Sequence, residues 1–333
     1  MNGRGGEGLR VTGQGDAGLG TADQNDEEIH ANDQSDEGLR VNGRERAGEL
    51  DDRTGRSRVV PVPLRPHLDL GRGGRWTSLA GGGREWLWSR PDPAREGVLP
   101  GVDFVDVGGL EECLPTVRGL PDHGDVWSRP WSGSAGEGFV RGDGFELRRA
   151  VTEEAGAVVA EYRLSADPGY AFVWAAHALL DLGDDARLIA PAETATRVFP
   201  EAAGMLAHPW PSGVPYLEGR WPAPLGLPLG RFGPCDGTAA GAVLRCAAVR
   251  VVDGPDVLHL RVEAPEGVPV STALWRNLGG FPAHAPYRSI GVEPMLGAVF
   301  DLAEAGPGDA AVVPASGELT WRLVLAAERM SDG

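Results

Sequence analysis

The sequence predicts an all-β protein, built as a large antiparallel β-sandwich. Fifty glycines and 27 prolines among 333 residues favour many turns between short strands over long helices. Several segments alternate apolar and polar residues with a period of two, whereas no segment sustains a helical stripe over three turns. Because 41% of the residues are hydrophobic, the chain can also bury a sizeable core.

The chain changes character after residue 57. Residues 1–57 contain no aromatic residue and repeat DQ and GLRV in a degenerate ten-residue pattern. A segment with so little to bury cannot offset the entropy of ordering, so we expect a disordered tail. Within it, GQGDAG at 13–18 has the form GxGxxG, but no predicted strand precedes it and no helix follows, which argues against a dinucleotide site. The sandwich domain is expected over 58–333.

Four segments of the domain give the clearest strand signal. Each alternates with period two and is bounded by glycine, proline or aspartate, as half-buried strands are. They are FELRRAV (145–151), AVVAEYRL (157–164), VLHLRVEA (257–264) and LTWRLVLA (319–326). Because this texture continues without an obvious linker, we expect one sandwich or barrel rather than two domains.

Charge and cysteine usage exclude several classes of protein. The 31 cationic residues, all arginine, face 48 acidic ones, a formal charge of −17. Nucleic acid and anionic membrane are therefore unlikely partners, because both are bound through basic patches. Cys113, Cys235 and Cys246 show no CxxC spacing, and we expect them to be reduced. With no secretory pattern and no run of 18 apolar residues, the expected location is the cytoplasm.

Three stretches carry residues suited to proton transfer. GGLEECLPT (108–116) leads into LPDHGDVWSRPW (120–131), which contains His123. His177 interrupts the apolar stretch YAFVWAAHALLDL (170–182), and Glu293 lies in the apolar strand near the end of STALWRNLGGFPAHAPYRSIGVEPMLG (271–297). The ordinary explanations are a structural histidine for His177 and an arginine partner such as Arg288 for Glu293.

These residue types suit a reversible reaction at a sugar acetal. A histidine, with an ordinary pKa of about 6.5, can both give and take a proton near neutrality. A partly desolvated glutamate has its pKa raised and becomes a better base at neutral pH. Some of the ten tryptophans can line a cleft and stack on a pyranose, although most are expected in the core.

Taken in order, the motifs resemble the aldose 1-epimerase (galactose mutarotase) family over most of 59–328. GGRWTSLAGGGREWLW (73–88) resembles the opening hairpin of that family. His123 followed by glycine matches the first active-site histidine, and HALLDL (177–182) matches the second. LWRNLGG followed by GVEP matches the strand pair that carries the catalytic glutamate.

The resemblance implies a β-supersandwich with one sugar cleft and neither metal nor nucleotide cofactor. It implies that Glu293 is the general base on the anomeric hydroxyl and that His177 is the general acid toward the ring oxygen. His123 would be a second histidine that holds or polarises the ring-oxygen region. The implied activity is that of an isomerase that interconverts α and β anomers.

Several side chains are expected to contact the sugar hydroxyls or to stack on the ring, and the resemblance points to one of them, Asp236. The candidates are Glu111, Glu112, Arg129, Trp275, Asn277 and Asp236. Where characterised members carry an Asn-Arg pair, this chain has GGLEECLPT, and an acidic stretch there favours an unphosphorylated aldose. The expected partner is thus a small sugar, bound by a monomer or homodimer.

Two alternatives remain at this stage. One is a non-catalytic carbohydrate-binding protein of the same fold, because fold does not fix function. The other is a glycoside hydrolase or lyase on a related sandwich, in which a hydrolase would need two carboxylates across the cleft, Glu112 and Glu293 being the nominated pair. The histidines show no HxH, HExxH or His/Cys spacing, so no metal site is expected.

Overall fold

The computed structural model describes residues 58–134 and 136–331, so the predicted tail, residues 1–57, lies outside the described residues. The described part is nearly all β, as the sequence predicts. It contains 21 strands and five short 3₁₀ helices. None of its helices is long and apolar enough to cross a membrane.

The strands are numbered along the chain. They are β1 (Arg58–Val62), β2 (Arg65–Asp69), β3 (Arg75–Gly81), β4 (Arg84–Glu85), β5 (Leu110–Cys113), β6 (Ser132–Ser134), β7 (Glu137–Gly142), β8 (Phe145–Glu154), β9 (Ala157–Ala166), β10 (Ala171–Phe172), β11 (Trp174–Leu180), β12 (Arg187–Ile189), β13 (Ala195–Val198), β14 (Leu217–Arg220), β15 (Ala239–Leu244), β16 (Ala248–Asp253), β17 (Asp256–Glu263), β18 (Val270–Leu278), β19 (Arg288–Leu296), β20 (Ala311–Val312) and β21 (Glu318–Ser331). The 3₁₀ helices are Leu70–Arg72, Pro93–Arg95, Pro200–Met205, Pro224–Gly226 and Leu302–Glu304.

Two large antiparallel sheets form the domain. The first has the order β12-β16-β17-β21-β9-β8-β7-β6, with β1 also paired to β21. The second has the order β14-β13-β15-β18-β19-β11-β5-β3-β2, with β4 paired to β3. The four strands predicted from alternation are β8, β9, β17 and β21, and they are adjacent in the first sheet. Alternation was visible there because each of these strands buries one face and exposes the other.

The segment at 73–88 forms the hairpin that the sequence predicts. Strands β3 and β4 pair antiparallel, and Gly82 and Gly83 form the turn with φ of 59° and 82°. Two successive residues with positive φ are the signature of a type I′ turn, for which glycine carries no steric penalty. The hairpin places Trp76, which is fully buried, in the main core.

That core lies between the two sheets and is rich in aromatic rings. The Trp174 ring meets the Trp321 ring edge-on, with centroids 5.2 Å apart. Tyr162 stacks on Trp321 at 5.1 Å. Most of the tryptophans are buried in this way, as aromatic residues of β proteins usually are.

Glu112 lies in this core and not in a cleft. Its carboxylate accepts hydrogen bonds of 2.8 Å from Arg149 Nη1, Tyr162 Oη and Trp174 Nε1, and it is fully buried. This placement corrects the expectation that Glu112 contacts substrate or pairs with Glu293 in a hydrolase. The reason is the pleat: successive residues of β5 face opposite sides of the sheet, so Glu112 and Glu111 point in opposite directions.

The face of the second sheet that points away from the main core carries the remaining candidate residues for proton transfer. A smaller apolar cluster covers part of it, including Cys113, Phe199, Val243, Met295 and Phe300. The candidate site lies beside this cluster, where β5, β11 and β19 run next to one another.

Candidate active site

Three candidate residues form one row across adjacent strands. His177 on β11 is directly opposite Glu111 on β5. The pairs Ala175–Met295 and Leu179–Gly291 set a register that places His177 opposite Glu293 on β19. Residues opposite one another in antiparallel strands share a face, with Cβ atoms about 5 Å apart. The strand register therefore aligns Glu111, His177 and Glu293 on one surface.

The β11–β19 ladder opens at this row. The recorded pairs stop at Ala175–Met295 and resume at Leu179–Gly291. Pro294 lies within this gap and has no N–H to donate, which accounts for the interrupted pairing with β11, whereas the pairing of β19 with β18 continues through Pro294. The sequence motif GVEP thus marks a local break in the sheet beside the acid.

His123 reaches the row from the 120–131 segment. Its ring lies edge-on to that of His177, with centroids 5.0 Å apart and an interplanar angle of 84°. The side chain of His123 is 23% exposed, whereas that of His177 is 10% exposed. The two imidazoles therefore lie in contact at one site, which is called the pocket below, and His123 is the more accessible of them.

Phe104 closes the same pocket from the connection between β4 and β5. Its ring stacks on His123 at 3.8 Å and meets His177 edge-on at 5.5 Å. It also contacts Trp127 edge-on at 4.9 Å. The two imidazoles and the two aromatic rings therefore form one packed cluster.

Arg95 connects Glu111 on β5 with the two loop segments that contain Phe104 and His123. Its guanidinium binds Glu111 in a bidentate manner, at 2.6 and 3.3 Å. The same group donates to the carbonyls of Val105 at 3.1 Å and Trp127 at 3.2 Å. Glu111 thus serves as the buried anchor for an arginine that holds the Phe104 and His123 segments together. Burial raises the pKa of Glu111 to about 7, and the Arg95 guanidinium opposes that rise.

The Glu293 carboxylate lacks the hydrogen bonds that the Glu111 carboxylate has. Among the described residues, its Oε2 is buried without a hydrogen-bond partner, and the whole residue is 2% exposed. Arg288 is not its partner, because its guanidinium donates to the carbonyls of Leu182 and Gly183. His177 faces Glu293 instead, with 3.9 Å between Nε2 and Oε1, a distance too long for a hydrogen bond.

Burial moves the two pKa values toward each other. Burial raises the pKa of Glu293, and the charge of His177 partly opposes this. Burial lowers the pKa of His177, while Glu293 raises it. A buried carboxylate without full hydrogen bonding costs folding free energy. Such a cost is typical of a catalytic base, whose raised pKa adapts it to proton transfer near neutrality.

The absence of a side chain at Gly291 leaves space for the Glu293 carboxylate. A Cβ at position 291 would lie 2.5 Å from Glu293 Oε1 and 3.1 Å from Trp275 Cβ. We therefore expect Gly291→Ala to displace the carboxylate and to slow any proton transfer to or from it on the order of tenfold, since small misplacements of reacting groups are costly. Gly233→Ala is the matched control, because a Cβ there has no neighbour within 4 Å. Equal rates in the two variants would contradict this account of Gly291.

Two of the predicted sugar-contacting residues, Trp275 and Asn277, lie on β18. Trp275 borders the row, because it is paired with Gly291 across β18 and β19, and it meets Phe281 edge-on at 5.6 Å. Asn277 is fully buried and clamps the loop that follows it. Its Nδ2 donates to the carbonyls of Phe281 and Tyr287, and its Oδ1 accepts from the Gly280 and Phe281 amides. Its polar atoms are thus used to hold the loop.

Arg129 and Asp236 are engaged in local contacts. Arg129 Nη2 binds Asp125 Oδ2 at 2.7 Å. Asp236 is exposed and accepts from the amide and hydroxyl of Thr238, as a turn residue does. Neither residue has a recorded contact with His123, His177 or Glu293.

Reasoning from sequence did not select three residues of this pocket. Phe104 and Arg95 lie in the Pro- and Gly-rich connection at 89–109, where no periodic pattern marks a residue. Asp122 precedes His123 directly, and that adjacency was the available signal. Within 58–134 and 136–331, no three His, Cys, Asp or Glu side chains are grouped as metal ligands.

Comparison with known proteins places the fold. No protein-family model and no curated protein sequence matches the chain. A solved structure from Synechocystis sp. PCC 6803 matches with a TM-score of 0.58 and 15% identity, over 85% of this chain and 99% of that one. A candidate aldose 1-epimerase from Escherichia coli K12 matches with a TM-score of 0.55 and 15% identity, over 82% and 100%.

A galactose mutarotase related enzyme from Lactobacillus acidophilus has the same fold. It matches with a TM-score of 0.51 and 12% identity, over 83% of this chain and 98% of its own. The resemblance found in the sequence is therefore confirmed at the level of fold: the described domain has the galactose mutarotase-like architecture. At such identities the likeness concerns the fold, and function has to be argued from the site.

Proposed function

We propose that this chain is an aldose 1-epimerase-like isomerase that interconverts the α and β anomers of an unphosphorylated aldose. The observation that carries the proposal is the convergence of His123, His177 and Glu293, distant in sequence, on one pocket of a mutarotase-like fold. The fold supports the reaction class, and the pocket supports the chemistry.

The reaction needs one base and one acid on either side of the anomeric carbon. Glu293 takes the proton of the anomeric hydroxyl, and the C1–O5 bond breaks with its electron pair going to the ring oxygen. A histidine gives that oxygen a proton, and the open-chain aldehyde forms. Rotation about C1–C2 and the reverse proton transfers close the ring on either face. No atom is gained or lost, so the residues return to their starting protonation states.

The roles follow the environment of each group. Glu293 has a raised pKa and an unpartnered oxygen, as suits a base. His177 lies 3.9 Å from it, so one small ring can contact both groups. We assign His177 as the acid and His123 as the second histidine at the ring oxygen. Arg95 is already bound to Glu111 and two carbonyls, which favours a neutral sugar over a phosphorylated one.

Polarimetry tests the proposal directly. Freshly dissolved α-glucose and α-galactose should approach rotational equilibrium faster with the protein than without it. The same assay with glucose 6-phosphate should show little acceleration. Binding of sugar by calorimetry without faster rotation would refute the enzyme and support a carbohydrate-binding protein of the same fold.

The pH profile of kcat/KM is expected to be a narrow bell. The base must be ionised and the acid protonated, and burial raises the pKa of Glu293 from 4.5 while it lowers that of His177 from 6.5. The two limbs should therefore lie closer together than the interval from 4.5 to 6.5, as properties of the coupled pair. Initial rates from pH 4 to 9 check this, and a broad plateau across that range would contradict it.

A further inference from the structure

The acid before His123 binds three neighbours at once. Asp122 Oδ1 lies 2.9 Å from His123 Nδ1. Its Oδ2 accepts the backbone N–H of Phe104 at 3.2 Å, and its carbonyl accepts the indole N–H of Trp127 at 3.0 Å. One residue therefore connects the imidazole with the Phe104 backbone and with the indole of Trp127.

These contacts specify which nitrogen of His123 carries hydrogen. An ionised carboxylate can only accept, so the hydrogen bond to Asp122 requires an N–H at Nδ1. In the neutral ring Nε2 then holds the lone pair, and in the charged ring it is the free donor. Burial raises the pKa of Asp122, but the hydrogen bond and charge of His123 outweigh it, so that the pKa lies below its usual value. The carboxylate is thus ionised near neutrality.

The backbone at His123 also requires support from its surroundings. His123 has φ of 57°, in the left-handed region that residues other than glycine rarely adopt. Such a conformation is strained and persists only where surrounding contacts hold it. Asp122 supplies contacts on both sides: to the ring of His123 and to the segment that stacks on that ring.

We propose that Asp122 is a positioning residue, which holds the N–H at Nδ1 of His123 and orients the ring, so that in its charged form the imidazole directs the N–H of Nε2 at the ring oxygen of the sugar. The role in turnover rests on the proposed function. The role in setting the tautomer does not, because it depends only on the contacts of Asp122.

The substitution Asp122→Asn separates these contacts cleanly. The Phe104 N–H needs an acceptor, and the asparagine oxygen is the only one the new side chain has. Its amide NH₂ is then left facing His123 Nδ1, where it donates instead of accepting. We expect the neutral imidazole of His123 to change from the Nδ1–H to the Nε2–H tautomer. Nitrogen-15 chemical shifts of histidine-labelled protein measure this, with the His123→Gln spectrum assigning the signal.

The kinetic expectation is a split between kcat and KM. Asp122→Asn should lower kcat on the order of tenfold or more, because the charged ring loses the carboxylate that accepts its Nδ1–H, and should leave KM within about threefold. Asp92→Asn is the matched control. Asp92 also accepts a backbone amide in the wall of the β4–β5 connection, that of Ala94 at 2.9 Å, but has no recorded contact with an imidazole. The Asp92→Asn variant should keep the wild-type tautomer of His123 and the wild-type kcat.

The outcomes separate this inference from the proposed function. An Nε2–H tautomer in the wild-type protein overturns the inference, and that measurement needs no variant to fold. An unchanged tautomer in Asp122→Asn also overturns it, as does a changed tautomer with wild-type kcat. If the wild-type protein accelerates no sugar, the proposed function fails, and the nitrogen-15 spectra still decide whether Asp122 sets the tautomer.

Discussion

Replacing Glu293 by glutamine is expected to reduce mutarotation about a thousandfold or more while sugar affinity stays within roughly tenfold. The amide keeps the shape and hydrogen bonding of the side chain but cannot take a proton from the anomeric hydroxyl. Polarimetry of freshly dissolved sugar gives the rate, and calorimetry gives the affinity. Glu218→Gln is the control, because Glu218 lies on β14 of the same sheet and its side chain is 72% exposed. Wild-type rates in Glu293→Gln would refute the assignment.

The same substitution should leave the protein equally stable or more stable at neutral pH. Burial raises the pKa of Glu293, so this group stabilises the folded state fully only below its unfolded pKa of about 4.5, and the contribution is lost as pH rises through the folded value. Glutamine does not titrate. The stability advantage of the variant should therefore grow as pH rises from about 4.5 to 8. Thermal unfolding across that range tests the sign, and a growing disadvantage would contradict it.

Removing Arg149 is expected to cause the largest loss of stability, about 3–5 kcal/mol. Arg149 is 2% exposed and lies between the sheets, where Nη1 binds Glu112 and Nη2 donates to the carbonyl of Gly74 at 2.7 Å. In Arg149→Met the Glu112 carboxylate keeps only its neutral donors, and an uncompensated buried charge is costly. Urea unfolding monitored by tryptophan fluorescence measures the change.

A second variant distinguishes the cost of the charge from the cost of the lost packing. In the double variant Glu112→Leu, Arg149→Met, both charges are gone, and the loss should be smaller than in Arg149→Met alone. Arg148→Met is the control for β8, because Arg148 is half exposed and pairs with Glu146 at the surface, where an ion pair contributes little. A double variant less stable than Arg149→Met would show that packing dominates.

The sequence predicted the strands best where a single local rule, period-two alternation, determines the structure. Alternation with period two identified β8, β9, β17 and β21, because each separates a buried from an exposed face. It was less informative for β11 and β19, which are buried on both faces, so they read as continuous apolar runs. Against that apolar background His177 and Glu293 stood out, and their identity as candidates needed no knowledge of the fold.

The direction of each side chain was harder to predict. Glu111 and Glu112 are chemically alike and adjacent, yet one anchors Arg95 beside the pocket and the other joins the two sheets. Either assignment fits the sequence GGLEECLPT, because a shift of one residue in register exchanges the faces of a strand. Similarly, Phe104 and Arg95 come from a connection whose path depends on packing and not on local pattern.

The sequence alone determined that this chain forms an antiparallel sandwich, since glycine- and proline-rich turns and period-two alternation are local properties of the chain. It also determined which residues have the chemistry for proton transfer. The tertiary structure decided that His123, His177 and Glu293 share one pocket, that Glu112 does not, and that Asp122 and Arg95 support it. Those relations join residues far apart in the chain, and only the pairing register of the strands and the packing of the loops against them brings such residues together.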